Sequence, residues 1–431
     1  MELKWLLISG FWNCIITIQS LIYRVKKNYY YVGITFIMIS LIWVYSWSWY
    51  MCEKEIEENN IRPYQTNIHM SSDVGCQFPY VDPFSNVAKK YNKDLPKVIC
   101  EGEDWVECNI SECKVTQNIL NKMKSLICHY KDIIYIDDHT YKVAHSVTVM
   151  NDKVYVLNRT GIRPLPSPKV SEGRKNSINV LILGFDSAAR NGFIRKMPKS
   201  YKRLEELGAV ILKGTELQHA NARQRYSKEI HLDPDLFIFH TAKLDGYETA
   251  YYEDMPWIGS FQYRYNGFSK CPADHYLRSF LMEETKEGTK WWNGIKNRYC
   301  IGAKPQYMVM LNLTKQFINM KDKRFCFTFI ADISHEDFNM ISTADEDIVE
   351  FLNYMKFSGK LNNTLLIVMD CLKINRPKAQ ISLQNNANVL TTPFDIHTTL
   401  LDAMGLYSRA SDFVVPNAKI KRGLSLLMPI W

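Results

Sequence analysis

Asp186, Asp332 and Asp370 each close a run of apolar residues, in "NVLILGFD", "RFCFTFIAD" and "NNTLLIVMD". His335 follows the second of them in "ADISHED". Carboxylate oxygens and imidazole nitrogens bind Zn²⁺ or a harder cation, and a cation so held polarises a phosphoryl or sulfuryl oxygen while activating a nucleophile. Acids at strand ends with a histidine close by are therefore what a divalent-metal hydrolase needs. Each residue also has a plainer reading. Asp186-Ser187 stands directly before "AARNGFIRKMPKSYKRLEEL", where an Asp or Ser side chain caps a helix. A histidine beside acids is more often a hydrogen-bonded surface residue.

Such acids act together only if one sheet brings them to one edge. Val180-Leu181-Ile182-Leu183 has no polar alternation and stops at Gly184, so it reads as a strand buried on both faces. In open α/β sheets, ligands collect at the carboxyl ends of the strands. Beyond residue 178, apolar runs alternate with helical stretches at 195–207 and 343–358, which predicts βαβ units and a mainly parallel sheet over 178–425. Residues 76–170 differ: they combine cysteines with short β-like runs such as "DIIYID" and "YKVAHSVTVM", a small β-rich unit that closes in the linker "RPLPSPKVSEGRKN". The stretch 211–235 carries no clear period.

The first 75 residues are organised for a membrane. Residues 30–51 are uncharged, long enough to cross a bilayer as a helix, and bounded by tyrosines and tryptophans that favour headgroups. "RVKK" before the stretch and "CEKEIEEN" after it predict a type II signal-anchor with the bulk of the chain extracellular or lumenal. Residues 1–29, whose apolar part at 5–23 is a second possible span, precede it, and a polar stalk at 52–75 follows.

Cysteines and sequons agree with that compartment. Of eleven cysteines, Cys76, Cys100, Cys108, Cys113, Cys128, Cys271, Cys300 and Cys326 lie in the body of the chain without zinc-site spacing, so disulfides are expected. Sequons at Asn109, Asn158, Asn312 and Asn362 are glycosylation acceptors in an extracytoplasmic domain. The chain's 431 residues have a globular composition, and a formal charge of +8 is scattered rather than gathered into a stripe with aromatics, so nucleic acid is excluded as a partner.

Long motifs then carry a resemblance. "ILGFDSAARNGFIRKMPKSYKRLEELGAVILKG", "GYETAYYEDMPWIGSFQYRYNGFSKCPADHYLR", "FIADISHEDFNMISTADEDIVEFLNYMKFSGKLNNTLLIVMD" and "LTTPFDIHTTLLDAMG" resemble the invertebrate membrane-anchored family called domain of unknown function 229, over roughly 76–425. That family is similar to sulfatases and alkaline-phosphatase-like hydrolases. The resemblance implies a three-layer α/β/α sandwich and an extracytoplasmic location. It makes Asp186 the first metal ligand, Asp332 and His335 ligands from a later strand, and Asp370 a remnant of a further pole for Zn²⁺ or Ca²⁺.

Two departures from the family pattern deplete this site. After "LKG" the chain runs "TELQHANARQRYSKEIHLDPDLFIF", without the family's Asn-Thr-Pro-like nucleophile segment. After "LLIVM" it runs "MDCLKINRPKAQ" in place of Ser-Asp-His-Gly. The pattern resumes at "GYETAYYED" and "NANVLTTPFDIH", so segments near 215–235 and 370–385 look skipped. Thr215, Ser227 and His231 are polar residues of an exposed stretch rather than replacements, and His397 caps or packs a helix. No catalytic residue is assigned. The expectation is a membrane-anchored sulfatase- or phosphatase-like pseudoenzyme with an incomplete metal site. The alternatives are an active metal-dependent hydrolase of sulfate or phosphate esters and a truncated or mis-spliced isoform of one.

Overall fold

The structure, a computed structural model, describes residues 80–150 and 177–429, except 105, 109–112, 123–126, 131, 145–146, 213, 216–230, 233–236, 263–264, 288–297, 321–322, 369–370 and 407–422. The apolar stretches 5–23 and 30–51, the stalk, Asn109, Asn158, Ser227 and Asp370 lie outside these residues. Among the described residues, no helix is long and apolar enough to cross a membrane.

Residues Cys76–Trp431 form one compact unit. In chain order its main elements are α1 (Asn86–Lys90), β1 (Asn179–Phe185), α2 (Arg190–Lys196), α3 (Pro198–Glu206), β2 (Val210–Ile211), α4 (Ile238–Leu244), β3 (Glu248–Glu253), β4 (His275–Tyr276), α5 (Arg278–Glu287), α6 (Gln306–Asn319), β5 (Arg324–Ile330), α7 (Asp345–Phe357), β6 (Thr364–Val368), β7 (Cys371–Lys373), α8 (Pro377–Asn386) and α9 (Pro393–Ala403). The seven strands form one sheet in the order β4-β3-β5-β1-β6-β7-β2. Pairings from β4 through β6 are parallel, and β7 runs antiparallel to both its neighbours. The fold is thus mixed α/β with a mostly parallel central sheet, as the alternation of apolar runs and helical stretches predicts.

Both faces of that sheet are covered, which is why its strands read as unbroken apolar runs. Leu181, Leu183 and Phe185 of β1 join a core with Met310 and Phe317 of α6 and Ile348, Phe351 and Leu352 of α7. Val180 points the other way, into a second core with Phe325, Leu365, Phe239 of α4 and Leu400 of α9. The helix expected at 195–207 is two helices: the chain breaks at Met197, and Pro198 opens α3, a position that wastes no hydrogen bond because the first-turn N–H is unpaired anyway.

The residues before β1 lie against the sheet domain at defined points. Asp138, which follows a short hairpin strand, is buried; its carboxylate accepts from Tyr135 Oη, Gln262 Nε2 and Phe268 N, and its carbonyl accepts from Arg278 Nε. A disulfide joins Cys100 to Cys300 across 200 residues of chain. Cys271 and Cys326 are free thiols, the first exposed and the second buried.

Candidate functional site at the carboxyl edge of the sheet

Strand register brings the acids level. Glu253 pairs across to Phe329 of β5, Phe329 to Gly184 of β1, and Leu183 to Val368 of β6, so these parallel strands end within a residue or two of one another. Gly184 suits the row because a Cβ there would lie 2.6 Å from the Phe329 ring. Asp186 follows as β1 runs out, its N–H donating to Ile330 O at 2.9 Å. The next residue, Ser187, has φ of 55° and is the one non-glycine positive-φ residue among those described, so the backbone turns sharply at this point.

Asp186 does not cap the following helix. The N-cap of α2 is Ala189, with no side-chain cap bond. The carboxylate turns instead to His335: Oδ2 of Asp186 lies 2.7 Å from Nδ1 of His335, both side chains being partly exposed. His335 stands on a tight turn after β5, where its N–H donates to Ala331 O at 2.8 Å. A carboxylate that accepts Nδ1–H fixes the tautomer and leaves Nε2 with its lone pair, ready to act as a base or a ligand. Among the described residues, no serine or threonine hydroxyl hydrogen-bonds to His335; the Ser187 hydroxyl donates to Asp186 Oδ1 at 3.4 Å.

Asp332 is set deeper, 5% exposed, with Oδ1 4.0 Å from Nε of Arg298. Arg298 also donates from Nη1 to Glu336 and lies over the Tyr299 ring at 5.3 Å. Beside Asp332 is a residue that the spacing argument passes over. Asp254, directly after β3, is 1% exposed; its Oδ1 accepts from Ala331 N at 2.7 Å and from Asp332 N at 3.2 Å. Its Oδ2 is buried without a hydrogen-bond partner. Burial and the neighbouring Asp332 charge push the Asp254 carboxyl well above the usual carboxylate range. The signal was present in "ETAYYED", another apolar run ending in an acid, but the glutamates at both of its ends disguise it.

Sequence candidates thus separate into a pair and its neighbours. Asp186 and His335 meet, Asp332 sits under Arg298 and against Asp254, and Asp370 falls outside the described residues. Among the described residues, no group of three His, Cys, Asp or Glu side chains is placed to hold a metal ion. Among the described residues, Asp186 and His335 supply two donors, where a catalytic metal set needs three protein ligands. His231 meets Asn266 Nδ2 at 3.1 Å, and the backbone of Thr215 pairs in a two-residue strand with Thr391. At the helix start near His397, the capping box is made by Thr392 and Asp395, and His397 is a partly buried side chain of α9 whose pKa burial lowers.

No curated protein matches the chain. A family model described as "Protein of unknown function (DUF229)" matches residues 135–217 and 210–371, together more than half of the chain.

Proposed function

Since the chain belongs to the DUF229 family, whose function is unknown, we propose a role for it from its site and sequence: a membrane-anchored, extracytoplasmic, sulfatase- or phosphatase-like protein that binds at the carboxyl edge of its sheet without turning over esters. An alkaline-phosphatase-like fold is part of this reading, supported by the mostly parallel sheet with acids at the ends of adjacent strands. The single observation that carries the inactive reading is the hairpin after β6. Val368 pairs with Cys371, so the chain returns at once as β7 at the place where the family's Ser-Asp-His-Gly segment would leave the sheet. The missing nucleophile segment before α4 points the same way.

Compartment follows from chemistry. The Cys100–Cys300 disulfide fits an oxidising environment, and residues 30–51 have the length and composition of an anchor. The test is an assay of the purified full chain against aryl sulfates and aryl phosphates with Zn²⁺, Mg²⁺, Ca²⁺ or Mn²⁺ added. No turnover above background is expected. Turnover that Asp186→Ala abolishes would overturn the inactive reading and leave the active hydrolase in its place.

A further inference from the structure

The stretch at the start of the described chain, "YVDPFSNVAKKY", presents an apolar surface that none of the other described residues buries. Tyr80 is 87% exposed, Val81 57%, Phe84 53%, Val87 65% and Tyr91 73%, and α1 within this stretch has no buried residue. Its conformation is nevertheless fixed. Ser85 caps α1 by accepting from Ala88 N, and Asp82 accepts from Phe84 N. Behind it, the backbone is held by the body of the protein: Asn191 Nδ2 donates to Val81 O and Arg195 Nη1 to Pro83 O, each at 2.9 Å, while Asn339 Nδ2 donates to Tyr91 O. Main chain faces the protein and side chains face outward. Val87 lies in α1, Tyr91 is its C-cap, and Phe84 stands in the turn just before the N-cap Ser85.

Isolated exposed apolar residues need no explanation, but five within twelve positions on an ordered segment mark a contact surface. We propose that this surface docks on the bilayer that holds residues 30–51, with Phe84 and Val87 at the acyl boundary, Tyr80 and Tyr91 among the headgroups, and Lys89, Lys90 and Lys93 on lipid phosphates. Two facts select a bilayer. Tyrosines beside lysines on an apolar surface are the composition of an interfacial segment, because the rings favour the headgroup region and long cationic stems reach phosphate. The chain between residue 51 and Tyr80 can span at most about 100 Å, which keeps the surface within reach of that bilayer. Asp82 and Asp94 are the acids at the border; Asp82 is committed to its turn.

This inference rests on residues 30–51 crossing the membrane, so the experiment separates the two. Full-length protein carrying the photoreactive residue p-benzoylphenylalanine in place of Ile42, Phe84, Val87 or Phe357 would be reconstituted into nanodiscs containing phosphatidylserine, irradiated and analysed by mass spectrometry. Phe357 is a control, being 81% exposed at the far end of α7. Lipid adducts are expected at 42, 84 and 87 and not at 357. Adducts at 42 alone, or crosslinks from 84 and 87 to another segment or to a second copy of the chain, would overturn the docking surface while leaving the anchor intact. Absence of adducts at 42 would remove the anchor and this proposal with it, and equal labelling at 357 would reduce it to nonspecific contact. Val87→Glu with Tyr91→Glu should abolish adducts at 84 without moving the thermal melt, since neither side chain packs inside.

Discussion

Asp254 shows how one side chain can serve two ends with its two oxygens. Oδ1 holds the backbone of Ala331 and Asp332, and with it the turn that delivers His335 to Asp186; Oδ2 is left buried and unpaired. Replacement separates these roles. Asp254→Asn keeps an acceptor for both N–H groups, whereas Asp254→Ala leaves them orphaned at a cost of about 1–3 kcal/mol for each buried unpaired group. Acidity adds a pH signature. The folded carboxyl pKa is raised, so the folded state binds the proton more tightly, and the associated stability is complete below the unfolded carboxyl pKa and lost as pH rises through the folded one. Wild type should therefore lose ground to Asp254→Asn as pH rises from the ordinary carboxylate range, about 4, into the range where the raised group ionises. Thermal melts at both ends of that range check it, and an equal offset at each would refute the account.

Individual elements differ in how far the chain announces them. The strands β1, β5 and β6 were legible because burial on both faces leaves an apolar run, and the acid after β1 and β5 was legible because no other acid falls in those runs. Asp254 was not, since Glu248 and Glu253 break the same signal in β3. Glu248 faces His275 at 2.8 Å, and Glu253 accepts from Tyr251 and Ser260, pairings that only the folded sheet creates. The capping of α3 was hidden for the same reason. Its first-turn donors are satisfied from 145 residues away, by the Asp345 carboxylate accepting from Lys199 N at 3.0 Å and Ser200 N at 2.8 Å. A cap supplied by another helix leaves no local trace. Asp345→Ala should cost about 1–2 kcal/mol, the upper range of cap deletions, as read by the urea midpoint at unchanged slope. A change below a few tenths of that scale would mean water replaces the carboxylate.

At the scale of the molecule, the two described sequons differ in what surrounds them. Asn362 is exposed at the amino end of β6, opposite the acids, whereas Asn312 lies within α6 two residues before Thr314, which is buried and bonded to Met310 O and Thr328. In protein recovered from a secretory-pathway host, peptide mass analysis should find glycan on Asn362 and not on Asn312; the reverse pattern would contradict the packing of α6. The Cys100–Cys300 bond also has a topological side. It closes a ring that contains β1 and β3, with Asp186 and Asp254, but excludes β5 and the turn bearing Asp332 and His335. A peptide bond broken anywhere inside that ring leaves a single covalent molecule, while one broken outside it is bridged by no disulfide among the described residues. Proteolytic damage to the half of the site on β1 and β3 is thus held in place by covalent linkage, whereas beyond residue 300 no disulfide among the described residues does so.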